Sequence, residues 1–267
     1  MGWRERETEA VATLAACRAA LAAGGRTVIG EATGAPDGTV AEWQHYPAGD
    51  AYDPTSHAQY FYHCHPESGL SGSVGVAEHG HFHLFLRGEG MPSGVAPLVL
   101  PEAAVAHPRL PRQSVPLKHG SRDEVCHLIA IAVDARGEPV RLFTTNRWVT
   151  GETWYRADDV IRMLDRFHIG GSIPSPLLNR WISALVRIFQ PEIAVLLRQR
   201  DARIAAARWK WPRLDAFENA KVEITSHIDI DLDARLAAIT RQLDPQPPAE
   251  AARRAPLPLR LADGWGA

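Results

Sequence analysis

Cysteine is scarce in this chain and carries no pattern. Cys17, Cys64 and Cys126 form an odd set without CxxC spacing, which argues against a disulfide framework and against a cysteine zinc site. Long apolar runs are missing too, and a membrane-spanning helix needs about 20 consecutive apolar residues. The N-terminus lacks the layout of a targeting segment: Glu5, Glu7 and Glu9 precede the apolar stretch and Arg18 interrupts it, whereas a signal peptide has a basic start and an uncharged core. Charge of one sign is also absent. A net charge of −2 over 267 residues gives no general pull towards nucleic acid or an anionic membrane. The expectation is a reduced, cytoplasmic protein without membrane association. Several chemistry-bearing signatures are missing: GxGxxG behind a strand, GxxxxGK[ST], GxSxG and HExxH. Nucleotide binding, nucleophile-elbow hydrolysis and zincin chemistry therefore have no support.

What remains is ordinary globular composition, 45% hydrophobic and 22% charged, in a chain long enough to bury a substantial core. Its organisation divides into four. Residues 1–25 read as an amphipathic helix through Val11, Leu14 and Leu21, stopped by Gly24-Gly25. Residues 26–155 read as a β-rich core, with strands expected at 26–31, 59–65, 75–86, 126–134 and 140–149. The turn Asp134-Ala135-Arg136-Gly137-Glu138-Pro139 joins the last two as a hairpin. On the first of that pair His127, Ile129, Ile131 and Val133 would share a face, and on the second Leu142, Thr144, Asn146 and Trp148. Residues 156–244 switch to helical periodicity. One helix is capped near Asp158-Asp159, a second carries Leu178, Trp181, Ile182, Leu185 and Ile188, and a third starts at Pro191. A returning strand follows over 222–230, then a short helix over 233–243. The Pro/Ala-rich tail, 245–267, is expected to be mobile. The fold class is therefore α+β: a curved or barrel-like antiparallel sheet with a C-terminal helical region.

Histidine is where the sequence is rich. Five of the 12 histidines fall between residues 63 and 83, in the runs Tyr60-Phe61-Tyr62-His63-Cys64-His65 and Glu78-His79-Gly80-His81-Phe82-His83. Alternate residues of a strand point to one face, so His63 and His65 would share a face, as would His79, His81 and His83. The turn formers in 66–73 would let the two strands pair. Neutral imidazole is the commonest protein metal ligand and suits iron, zinc, copper and nickel. A transition metal ion is thus the expected cofactor. His81 and His83 are its core ligands, and His79, His63, His65 and His127 are candidates for the rest. Cys64 would face away from the imidazoles as a small buried hydrophobe. Glu78 is the first acid–base candidate, and Glu67 is a second carboxylate of the same stretch.

From Gly75 the chain resembles the first motif of the cupin family, through Gly75, His81 and His83. Glu89 falls one residue late, and His127 stands where a second-motif histidine would, without its proline and glycine. The resemblance covers about 20 residues. It implies a small antiparallel barrel enclosing one metal. Separately, YFYHCHPESG, EHGHFHLFLR and RLFTTNRWVTGETWY are similar to an uncharacterised bacterial family, and that likeness transfers no mechanism.

A second dense patch runs from Thr144 to Tyr155. Arg147 there could anchor a substrate carboxylate through its planar fork, with Trp148 and Trp154 as walls. The alternative is a strand end closed by an aromatic plug. The leading functional expectation is a metal-dependent enzyme acting on a small organic molecule. The alternatives are a non-catalytic metal- or haem-binding protein, a metal-free acid–base pocket, and an anion- or nucleic-acid-binding module. The last draws on eight basic residues between Arg180 and Arg213, but the chain's overall acidity disfavours nucleic acid.

Overall fold

The computed structural model describes residues 2–35, 39–65, 78–100, 102–107, 110–116 and 124–243, with backbone alone for 102–107 and 110–116. In chain order the strands are β1 (Tyr46–Tyr52), β2 (Ala58–His63), β3 (Gly80–Arg87), β4 (Pro97–Val99), β5 (Glu102–His107), β6 (Leu110–Pro116), β7 (Val125–Val133), β8 (Pro139–Thr145), β9 (Trp154–Tyr155) and β10 (Ile224–Asp229). The helices are α1 (Trp3–Ala23), α2 (Val28–Thr33), α3 (Arg147–Thr150), α4 (Ala157–Leu164), α5 (Pro176–Ile188), α6 (Gln190–Lys210) and α7 (Leu232–Leu243). The turn expected over 66–73, with Glu67, and also Gly75 and the tail from 245 lie outside the described residues.

Six strands form one antiparallel sheet in the order β1-β2-β3-β7-β8-β10. The two histidine-bearing strands are neighbours, β7 and β8 form the expected hairpin, and β10 returns to pair with β8. The barrel-like form of the expectation does not hold. β1 and β10 stand at opposite edges, so the sheet is open. The α+β class with C-terminal helices does hold.

Alternation sorts the sheet into two unlike faces. Tyr60, Tyr62, Phe82, Leu84, Leu86, Ile129, Ile131, Val133 and Leu142 enter one apolar core with Leu14 of α1, Val160 of α4, and Leu178, Trp181 and Ile182 of α5. Each such large side chain contributes roughly 1.5–3 kcal/mol by leaving water. Helix α5 begins where it does because the Ser175 hydroxyl accepts from the amides of Leu177 and Leu178, and Pro176 occupies the first turn, where no amide donor is needed. The opposite face carries Phe61, His63, His81, His83, Phe85, Ala130, Ala132 and Phe143, with the two alanines and Phe143 in a small apolar cluster of their own. Among the described residues no helix is long and apolar enough to cross a membrane.

Three local expectations are overturned, each by a specific competing interaction. Residues 28–33 are helical rather than a strand. The Thr27 hydroxyl caps the Gly30 amide at 3.1 Å, and Gly34 ends the turn in the left-handed region at φ 72°, so capping outweighs the β-branched run. The strand expected over 140–149 stops at Thr145. The Asn146 side chain accepts from the Arg147 amide at 2.8 Å and starts α3, which takes Trp148 off the sheet. Finally, the β3–β7 register shifts between Leu84 and Phe85: Leu84 faces Ile129 while Phe85 faces His127. This bulge moves His127 to the face opposite Ile129, Ile131 and Val133.

Candidate metal centre

Register builds the site. Across three strands His63 lies opposite His81 and His81 opposite Ala132; one step along, Phe61 lies opposite His83 and His83 opposite Ala130. The alanines leave room on β7, and the Phe143 ring fills part of it, edge-on to His81 at 5.1 Å and to His83 at 6.1 Å. His81 and His83 are each 2% exposed, while His63 is half-buried. His63, His81 and His83 each offer a nitrogen, and these atoms lie within 4.8 Å of one another. This buried cluster could hold a metal ion.

Hydrogen bonds fix the tautomers. His81 Nδ1 lies 2.5 Å from Glu78 Oε1, so an Nδ1–H donates to the carboxylate and Nε2 carries the lone pair. That Nε2 lies 2.7 Å from His63 Nε2. A carboxylate behind an imidazole is the usual way a metal-ligating histidine is oriented and made more basic. His83 has its own support, with Nδ1 3.0 Å from His127 Nε2, and His127 Nδ1 reaches the Thr145 hydroxyl at 3.4 Å. Glu152, from the second dense patch, accepts from the His127 backbone amide at 2.7 Å.

Electrostatics keeps the imidazoles neutral, as metal ligation requires. Burial first, then His81, His65 and His45, lowers the His63 pKa to about 2. Burial and then His65 lower His81 to about 3. His83 is held well below its usual value by burial and by the surrounding imidazoles. Burial, then Arg200 and His81, lowers His127 to about 3. Burial pushes Glu78 up to about 7 against the opposing pull of Arg141 and His65, and pushes Glu152 up to about 7 against Arg200.

The donor set fits a borderline divalent metal. Three neutral imidazoles would supply three of the ligands of a tetrahedral ion. Metal–nitrogen bonds of roughly 2.0–2.1 Å place tetrahedral ligands about 3.3 Å apart, so the 2.7 Å contact between His63 and His81 has to open by about half an ångström.

The six histidines expected as ligands do not all converge. His79 precedes β3, and its Nδ1 takes the Tyr62 hydroxyl at 2.7 Å, while Tyr62 belongs to the helix-covered core. Gly80 permits this divergence, since a side chain there would run into the Tyr62 hydroxyl and the His63 carbonyl. His65, just past β2, lies with its ring 5.2 Å from that of His81, outside the three-nitrogen cluster. His127 stands behind His83. Arg147 pairs with Glu218, Trp148 donates to the Val222 carbonyl at 2.9 Å, and Trp154 packs with Phe217 beneath the Arg200 guanidinium. Both tryptophans thus contact other parts of the fold, and Glu152 links this patch to the histidines. One guanidinium on the histidine face is that of Arg141, which lies opposite Ala132 and bonds Asp229 at 2.6 Å. The sequence reading missed it. The signal was present in Ile129-Ala130-Ile131-Ala132-Val133, where small residues alternate with β-branched ones and mark the face that carries bulky partners on neighbouring strands. The basic stretch of α5 and α6 is partly spent internally: Arg187 pairs with Asp165, Arg198 with Asp158, and buried Arg200 with Asp201.

The cupin likeness gains nothing from this geometry. The sheet is open, and Glu89 lies in the turn Gly88–Gly90, 3.2 Å from His57. A family model described as a domain of unknown function (DUF6969) matches residues 8–230, a span from α1 to just past β10 that includes every residue of the site. No curated protein and no solved structure matches the chain.

Proposed function

We propose a function from the site alone, because the chain belongs to the DUF6969 family, whose description names no activity: the protein is a metal-dependent enzyme for a small organic molecule, with one transition-metal ion held by His63, His81 and His83. The observation that carries this reading is the convergence of three neutral imidazole nitrogens, two buried and one half-buried, with a carboxylate behind one of them. Their place on the sheet, rather than on an exposed loop, favours catalysis over storage or delivery of the ion. The ion would polarise a substrate oxygen or activate water or dioxygen. The rest falls to the chain. Glu78 holds the Nδ1 proton of His81 through Oε1, while its Oε2 is buried with no partner among the described residues. With a pKa of about 7, Glu78 populates both protonation states near neutrality, as a group exchanging a proton with substrate should. Arg141 is the cation opposite Ala132, next along from His81.

Titrating the metal-free protein with cobalt(II) tests the reading. Visible bands that saturate at about one equivalent are expected. They should be lost on changing His63, His81 or His83 to alanine and retained in His79→Ala. A protein that gives no bands at any cobalt concentration overturns the proposal. The 2.7 Å contact between His63 and His81 supports a second reading, a metal-free acid–base pocket, and that same null result would select it.

A further inference from the structure

We infer that the mouth of this site binds a neutral polyhydroxylated molecule, held by the Glu78 carboxyl and the His65 imidazole against the face of Trp43. The inference rests on reading the histidine face as a ligand site, but not on the ion. Among the described residues, two polar atoms beside His81 are buried without partners, Glu78 Oε2 and His65 Nδ1. Glu78 touches His81 directly, and the His65 ring lies 5.2 Å from it, so one small molecule beside His81 reaches both. Buried polar atoms are rarely left unpaired, because each costs about 1–3 kcal/mol. A ligand that supplies the partners recovers that cost.

The rim is built from rings. Trp43 is 65% exposed and sits in the left-handed region at φ 65°, a conformation that a bulky residue adopts only under constraint. The bond from its amide to the Cys64 carbonyl at 3.1 Å supplies that constraint, and the indole lies edge-on to His65 at 4.3 Å. His45 stacks on Phe61 at 3.6 Å and closes the other side. An exposed indole gives a flat apolar platform with a polar edge, suited to the C–H face of a polyol. Hydroxyls suit the rest. One donates to Glu78 Oε2, and a neighbouring one either donates to or accepts from His65 Nδ1, whichever tautomer is present. Arg141 already pairs with Asp229 and Glu78 Oε1 with His81, which favours neither an anion nor a cation.

Ligand-observed NMR with myo-inositol tests this, with glutarate and choline as anionic and cationic comparators, on metal-free and zinc-loaded protein. Saturation transfer to myo-inositol is expected in the wild type. Its apparent Kd should rise at least about tenfold in Glu78→Gln, the equivalent of one lost hydrogen bond, and by a similar factor in Trp43→Ala, which removes the apolar platform. Trp43 is exposed, so its variant reports even if Glu78→Gln fails to fold. No transfer to myo-inositol, tighter binding of glutarate or choline, or binding that survives Trp43→Ala overturns the inference. Failure of the metal reading leaves myo-inositol binding to metal-free protein intact, and failure of this inference leaves metal binding intact.

Discussion

Replacing His81 by alanine separates a metal ligand from a structural imidazole. In the metal-free protein the change removes the partner of both Glu78 Oε1 and His63 Nε2 and opens a void against Phe143. Leaving a buried polar group unpaired costs about 1–3 kcal/mol, so the variant melts several degrees lower whatever the site does. The metal-dependent increment is what discriminates. An ion at 100 times its Kd stabilises the folded state by about 2.7 kcal/mol. For a chain of this size, 1 kcal/mol moves the Tm by about 2–4 °C. Wild-type protein should therefore gain about 5–10 °C on metal saturation, and His81→Ala essentially nothing. Differential scanning calorimetry of both proteins, with chelator and with zinc, reads the four values. An equal zinc-dependent gain in the two proteins, or none in the wild type, would refute the assignment of His81 as a ligand.

Two further predictions follow from the surroundings of the cluster. His127→Asn should weaken metal binding about 10–100-fold without abolishing it, because His127 orients His83 rather than joining the cluster; a zinc-competition titration in which the variant matches wild type would show that this support is idle. The metal-free protein should lose stability in acid. His63, His81, His83 and His127 have folded pKa values below the unfolded 6.5, so the unfolded chain takes up protons that the folded chain refuses, and their stabilisation is lost as pH falls below 6.5. Glu78 and Glu152, raised from 4.5 to about 7, act oppositely: their contribution is present below 4.5 and is lost as pH rises through 7. Four groups against two leave a net uptake of about two protons on unfolding between pH 6 and 5, or roughly 2.7 kcal/mol lost per pH unit. Urea midpoints of chelated protein at those two values check it, and a midpoint that rises towards pH 5 contradicts it.

Much of the framework was legible because periodicity is a local property. The alternation in residues 59–63, 80–87 and 224–229, and the 3.6-residue spacing of Leu178, Trp181, Ile182 and Leu185, are visible without tertiary information. What escaped depends on contacts between distant residues or on single backbone angles. The bulge that turns His127 towards His83 exists only in the β3–β7 pairing. β1 carries Pro47, Gly49 and an Asp50 at φ 61°, and shows no alternation to read. The pairing of β2 with β3, which sets His63 against His81, was legible from the two histidine runs. The divergence of His79 was not, because it is decided by the Tyr62 hydroxyl across the strand pair. Arg141 was passed over for Arg147 because the Thr144–Tyr155 patch is dense in polar and aromatic residues, whereas Arg141 matters only through its place opposite Ala132.

The most direct test of the central claim is elemental analysis of the protein purified without a histidine tag, before and after reconstitution with iron, zinc, copper and nickel. The site as built from His63, His81 and His83 predicts close to one equivalent of a single transition metal. Less than about a tenth of an equivalent of any of them, even after reconstitution, would contradict it.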